Sequence, residues 1–266
     1  MNFSEEELER YSRHIILEDV GVEGQYKLLN SSVLIIGAGG LGTPAAQFLA
    51  AAGIGKIGIV DADKVELSNL QRQVLHYTSD VGNLKVESVR DKINEMNPDV
   101  EVKTYPYYLN STNIREVIKD YDFIIDGTDN FPAKFLINDV CVMENKAFSH
   151  AGIIRFTGQT TTVVPGQGAC YRCLFPEPPS SNSVPSCKEA GVIGVLGGIL
   201  GTLQATEAIK YILDEGELLT SQLLTYDALA MNFRKIDLEK RDDCEICGSN
   251  PEIKELIDYE QGVCEL

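Results

Sequence analysis

Ser32-Val-Leu-Ile-Ile36 runs without a break into Gly37-Ala-Gly-Gly-Leu-Gly42, and an alanine-rich stretch over 43–52 follows. The apolar run predicts a buried strand, and the alanines predict a helix. Between them, Gly37, Gly39 and Gly42 fit G-x-G-x-x-G. Such glycines permit the turn, let the backbone approach a phosphate, and pack the helix against the sheet. The helix N-terminus then offers oriented N–H groups to an anion. A second strand, Lys56–Val60, ends at Asp61, placed where a carboxylate can bind ribose hydroxyls. Strand, turn, helix and acid together predict a nucleotide; the alternative is a tight turn with no ligand. No G-K-[ST] run follows, which excludes an ordinary Walker-type ATPase. Dinucleotide enzymes share this fingerprint, so the nucleotide itself stays open.

Working outward, residues 4–30 predict a helical arm, with Leu8, Tyr11, Ile15 and Ile16 at roughly helical spacing. Helices are expected over about 83–95, 111–119 and 131–145, and strands over about 100–105, 122–126 and 147–152. This alternation predicts an α/β fold: a Rossmann-like, mostly parallel sheet with helices on both faces. The later chain changes character. A strand over 157–165, a Pro/Ser-rich loop over 176–185, a long helix over 195–213 and strands within 223–237 extend the sheet with antiparallel strands. The acidic tail after Gly248 has no clear periodicity.

The chain carries 40 acidic residues against 23 basic, a net charge of −17, which argues against a general nucleic-acid binder. Met1–Glu9 is acidic and lacks the features of a secretory signal, and the apolar stretch 191–203 is too short for a membrane span. A soluble, cytoplasmic protein is expected. Against this background a few cations stand out. The loop after Asp61 carries Asp63 and then Ser68, Asn69, Leu70, Gln71, Arg72 and Gln73; Lys85 follows, and Asp129-Asn130 closes the fourth strand. Ligands of open parallel sheets sit at the carboxyl ends of strands, so these residues can face one crevice. Arg72 and Lys85 can neutralise a polyphosphate, and Asp129 can hold Mg²⁺ bridging it. That pattern suits triphosphate chemistry better than hydride transfer. Taken singly, Arg72 and Lys85 also suit a solvated surface, and Asp129 suits the N-cap of the helix near 131.

Seven cysteines include two pairs, Cys170-Tyr-Arg-Cys173 and Cys244-Glu-Ile-Cys247, separated by 70 residues. Four thiolates in two C-x-x-C turns satisfy tetrahedral Zn²⁺, which predicts a structural zinc knuckle; a redox dithiol is the rival. Cys187 stands alone beside Lys188, a candidate nucleophile or an inert thiol. Cys141 is expected in the core and Cys264 to be incidental. His14, His76 and His150 form no metal spacing and are expected to make local hydrogen bonds.

These motifs converge. Arg10-Tyr-Ser-Arg13, Gly37-Ala-Gly-Gly-Leu-Gly42, Asp61-Ala-Asp63, Ser68-Asn-Leu-Gln-Arg-Gln73, Lys85, Asp126-Gly-Thr-Asp-Asn130, both cysteine pairs, Cys187-Lys-Glu-Ala-Gly191 and Leu203-Gln-Ala-Thr-Glu-Ala-Ile-Lys210 stand in one order. In this the chain resembles the ThiF/MoeB/HesA family, bacterial relatives of ubiquitin-activating enzymes, from about Arg10 to Gly248. The resemblance implies ATP-dependent adenylation of the C-terminal glycine of a ubiquitin-like sulfur carrier ending in Gly-Gly, in thiamin or molybdopterin biosynthesis. It implies that Gly40 and neighbouring backbone hold phosphate, that Asp61 holds ribose, and that Asn69, Arg72, Gln73 and Lys85 surround the phosphates. Asp129 would bind Mg²⁺, Arg13 would reach the triphosphate of the other subunit of a homodimer, and Cys187 would match the family's reactive cysteine. It further implies one domain over 1–266: a helical arm (1–30), a nucleotide-binding half (31–155), a zinc and carrier-binding half (156–250) and a tail (251–266). With no room for a sulfurtransferase domain, sulfur is expected from a separate donor such as a cysteine desulfurase. The alternatives are a NAD-dependent oxidoreductase on the same glycine turn and a non-catalytic, zinc-stapled binder of a ubiquitin-like protein.

Overall fold

Among the described residues, eight strands form one sheet in the order β3-β2-β1-β4-β5-β6-β7-β8. The structure, a computed structural model, describes residues 3–179 and 190–259. The strands are β1 (Ser32–Ile36), β2 (Lys56–Val60), β3 (Glu101–Tyr105), β4 (Phe123–Asp126), β5 (Ala147–Ile154), β6 (Thr157–Val163), β7 (Gln222–Asp227) and β8 (Asn232–Asp237). Strands β1 to β5 pair in parallel, and β6, β7 and β8 extend the sheet antiparallel. The helices are α1 (Glu5–Arg10), α2 (Ser12–Ile15), α3 (Gly21–Leu29), α4 (Gly42–Ala52), α5 (Lys85–Met96), α6 (Ile114–Ile118), α7 (Phe131–Met143), α8 (Tyr171–Leu174) and α9 (Val195–Leu213). None of the described helices is long and apolar enough to cross a membrane.

The alternation of β1 divides the core. Val33 and Ile35 join one apolar cluster with α4, α5 and α9, while Leu34 and Ile36 join a second with α6, α7 and the cysteine turns. Both faces are therefore covered, as a continuous apolar strand requires.

The arm expected over 4–30 is built of three helices. Tyr11 sits at the first break, buried, and its hydroxyl accepts a hydrogen bond from Asn97 at 2.9 Å. Seating that ring inward turns the chain between α1 and α2. The helix expected over 111–119 begins only at Ile114. Upstream, the Asn110 carboxamide oxygen accepts from the backbone N–H groups of Thr112 and Asn113, and Asn113 caps Asn110 in return. These side chains satisfy the backbone that a helix would otherwise use. The strand expected to reach 165 ends at Val163, two residues before Pro165, which has no N–H to donate.

Candidate nucleotide site

The switch point of the sheet lies at β1, which has β2 on one side and β4 on the other. A cleft of about 1510 Å³ opens there, at the carboxyl ends of the strands. Gly37 turns the chain with φ +101°, and at Gly42 a Cβ would stand 1.8 Å from the Gly37 carbonyl oxygen. Neither position admits a side chain. The turn is also clamped: Asp61 accepts from the Ala38 N–H at 2.8 Å, the Ala38 carbonyl meets His76 Nε2 at 3.0 Å, and the Thr43 hydroxyl donates to the Gly39 carbonyl at 2.8 Å. The second Asp61 oxygen accepts from the Asp63 N–H at 2.8 Å. Burial pushes the Asp61 carboxyl up from its ordinary value, while Lys85 and these backbone donors pull it down.

Most of the expected residues line this one cleft: Gly37, Gly39, Gly40, Asp61, Asp63, Ser68, Asn69, Gln71, Arg72, Gln73, Lys85, Asp129 and Asn130. Lys85 is only 6 % exposed, so it is a wall of the site and not a solvated helix face. Its ammonium donates to Asp63 at 2.8 Å and lies 3.9 Å from Asp61. Arg72 donates to the Ser68 carbonyl at 3.1 Å, a backbone brace that keeps its guanidinium at the cleft. Gln73 is buried with its carboxamide oxygen unpartnered, a group available to a ligand. The N-cap of α7 is Asn130, whose oxygen accepts from the Ala133 N–H at 2.9 Å. Asp129 is thus not the cap, and its carboxylate stands exposed at the cleft.

Three expected residues fall elsewhere. Gly42 and Leu70 do not line the cleft; Gly42 serves helix packing and Leu70 is half-buried in the loop. Arg13 is exposed on α2, away from the lining of its own chain's cleft. Cys187 and Cys264 lie outside the described residues, and Cys141 is buried in α7 as expected.

The floor holds a charged group that the spacing of residues did not signal. Asp126, at the end of β4, is fully buried. It accepts from His150 Nδ1 at 2.7 Å, from the Lys134 ammonium at 3.2 Å and from the Thr128 hydroxyl at 2.6 Å. Burial opposes its ionisation, yet Lys134 and His150 overcome that and hold it well below the usual carboxylate range. His150 and Lys134 both line the cleft, and the hydrogen bond that His150 makes is to this buried carboxylate. Burial also pushes His76 and His150 below 6.5. Folded pKa values below the unfolded ones mean that the unfolded chain takes up protons first, and stability is lost as pH falls. The expected result is an unfolding midpoint that is level above about pH 7 and declines from about pH 6.5 downward, measured by urea titration across pH.

The four paired cysteines meet beside α7. Cys170 Sγ lies 4.0 Å from Cys173 and 3.7 Å from Cys244, and Cys173 lies 3.4 Å from Cys247; all four sulfurs fall within 4.8 Å of one another. Tetrahedral zinc with Zn–S of about 2.3 Å would set sulfurs roughly 3.8 Å apart, so the donor set fits that ion. Each C-x-x-C is wound as one turn, Cys173 N–H to Cys170 carbonyl at 3.0 Å and Gly248 N–H to Cys244 carbonyl at 2.9 Å. Between the first pair, Arg172 is buried and donates to both Asp139 oxygens, at 2.8 and 3.0 Å, tying the cluster to α7.

Comparison with known proteins decides the lineage of this arrangement. A family model described as the ThiF family matches residues 11–246. The chain belongs to the ThiF family. Its sequence is 50% identical over 254 residues to the SAMP-activating enzyme E1 of Haloferax volcanii, covering 95% of this chain and 94% of that protein. The sulfur carrier protein adenylyltransferase of Thermus thermophilus is 46% identical, with 98% of each chain covered. Against the adenylyltransferase and sulfurtransferase MOCS3 of Aedes aegypti, at 47% identity, the alignment covers 96% of this chain but 59% of that one. Among solved structures, E. coli MccB with ATP superposes with a TM-score of 0.77 at 26% identity, covering 90% of this chain and 73% of that chain. The ThiF match thus spans the glycine turn, the cationic loop and three of the four clustered cysteines.

Proposed function

We propose that this ThiF-family chain is an adenylyltransferase that activates the C-terminal glycine of a ubiquitin-like sulfur carrier ending in Gly-Gly. The carrier's terminal carboxylate attacks the α-phosphorus of ATP, forming the acyl–O–P bond as the bond to the β-phosphate oxygen breaks and pyrophosphate leaves. The observation that carries this reading is the assembly, in one cleft, of a glycine turn, two cations and an exposed acid. The names of the relatives favour it over an oxidoreductase on the same turn.

A carboxylate is ionised at neutral pH and needs no general base. The barrier is the approach of two anions, which Arg72 and Lys85 lower by fixed positive charge in a recessed site. Lys85 is pre-set by Asp61 and Asp63, and it can exchange part of that pairing for a phosphate. Asp61, held rigid by Ala38 and Asp63, faces the ribose. Ile36, Val60, Leu109, Ile114, Leu136 and Ile137 line the apolar end suited to adenine. Asp129 would hold Mg²⁺, which supplies charge neutralisation along the triphosphate. The four cysteines would hold a structural zinc.

Several finer assignments belong to the same reading. A homodimer would let Arg13 of a second copy reach the triphosphate. Cys187 would link covalently to the activated carrier, and a separate cysteine desulfurase would supply sulfur in the cytoplasm. Thiamin and molybdopterin biosynthesis are the pathways such a carrier serves. The test is ATP–pyrophosphate exchange with and without a Gly-Gly-ending carrier, which tracks reversible adenylation alone.

A further inference from the structure

The acidic tail, without periodicity in the sequence, packs in the structure. Its residues from Ser249 onward lie beyond the segment matched to the family. Glu252 and Ile253 donate their backbone N–H groups to the Glu245 carbonyl, both at 2.9 Å, so the tail leaves directly from the second cysteine turn. Ile253, Leu256 and Tyr259 then pack on the apolar cluster that holds Ile36, Ile114 and Ile137. The Tyr259 hydroxyl meets Asp139 at 2.6 Å and Arg172 at 2.5 Å, which fixes the far end.

Between these anchors, Asp258 reaches the loop joining β3 to α6. Its two oxygens accept from the Ser111 N–H at 2.7 Å and the Ser111 hydroxyl at 3.0 Å. The same loop carries Tyr107, Tyr108 and Leu109 along the apolar end of the cleft. At the cleft, Tyr108, a residue 69 % exposed, donates its hydroxyl to Asp63 at 2.6 Å. Asn113 ties the two ends together by donating to the Tyr108 carbonyl at 3.1 Å. The loop is therefore gripped from inside by Asp63 and from outside by Asp258, while Leu109 packs on the apolar cluster and Tyr107 meets the Tyr105 ring edge-on.

We propose that Asp258, through Ser111, is a positioning residue for nucleotide binding: the tail is a strap that holds the adenosine-side wall of the cleft in its binding shape. The inference rests on the nucleotide reading of that cleft. Ordering this loop before the nucleotide arrives saves the entropy of ordering it on binding, so the grip acts on affinity at the adenosine end. Asp258 and Ser111 themselves touch neither the glycine turn nor Arg72 nor Lys85; the loop meets the phosphate end only through the Tyr108–Asp63 bond, so the direct effect of the strap falls on the adenosine end.

Calorimetric titration of the full-length chain with MgATP and, separately, with tripolyphosphate tests this without any carrier. Asp258→Ala is expected to weaken MgATP by about tenfold, the scale of a charge-assisted bidentate contact, with tripolyphosphate unchanged. Asp258→Asn, which can still accept from the Ser111 N–H, should recover part of the loss, and Glu255→Ala on the same tail should bind as wild type. Combining Asp258→Ala with Tyr108→Phe should cost less than the two losses multiplied, because both act on one loop. MgATP affinity of Asp258→Ala within twofold of wild type, or an equal loss for both ligands, overturns the strap. A wild-type chain that binds no MgATP overturns the nucleotide reading beneath it.

Discussion

Replacing Asp129 with asparagine is expected to lower carrier-dependent ATP–pyrophosphate exchange by about a thousandfold while leaving stability within about 0.5 kcal/mol of wild type. The reasoning depends on a division of labour between neighbours. Asn130 caps α7, so the helix start does not need the adjacent carboxylate. Asp129 is exposed at the cleft, where its charge has no structural duty that asparagine would fail to meet. What asparagine lacks is the negative charge that would hold the proposed divalent cation. Asn130→Ala should show the reverse pattern. It removes a cap and costs about 1 kcal/mol, with a smaller effect on exchange. Loss of stability in Asp129→Asn, or full exchange, would contradict this division.

Cys244→Ser carries the other large effect. Cys244 is buried among three further sulfurs, and the two turns that supply them come from sequence positions 70 residues apart. A metal there would join α8, and through Arg172 helix α7, to the base of the tail. Removing one of four ligands should abolish zinc binding and cost about 5 kcal/mol, lowering Tm by roughly 10–20 °C for a chain of this size. Metal analysis should find about one zinc per wild-type chain and almost none in the variant. Cys264→Ser is the matched control and should retain zinc. A metal-free wild-type chain with the full Tm would show that the sulfurs hold together without an ion.

Much of the nucleotide half was legible because its signals are local. The strand, glycine turn, helix and acid occupy adjacent positions from Ser32 to Asp61, and each is dictated by backbone geometry that its own residues reveal. The cysteine pairs were legible for a different reason: thiolates at C-x-x-C spacing have few other uses. What escaped was long-range. Asp126, Lys134 and His150 meet only because β4 pairs in parallel with β5, placing Asp126 opposite His150, while α7 returns over both. No spacing in the sequence encodes that register. Tyr108 carried no signal in the sequence, and Ser111 was expected to open a helix; their partners, Asp63 and Asp258, lie 45 and 147 positions away. The choice between Asp129 and Asn130 as the cap turned on one residue, which propensity alone does not resolve because both types cap well. Arg13 remains tied to the cleft only by the proposed second copy.

The central claim is that the cleft transfers AMP from ATP to a carrier's terminal carboxylate, and pyrophosphate exchange reads that step most directly. With labelled pyrophosphate, MgATP and a ubiquitin-fold carrier ending in Gly-Gly, label should enter ATP. It should fail to do so when the carrier is omitted or its final glycine is removed, because no carboxylate then reaches the α-phosphate. Exchange that runs without any carrier, or equally with the truncated one, would contradict the account.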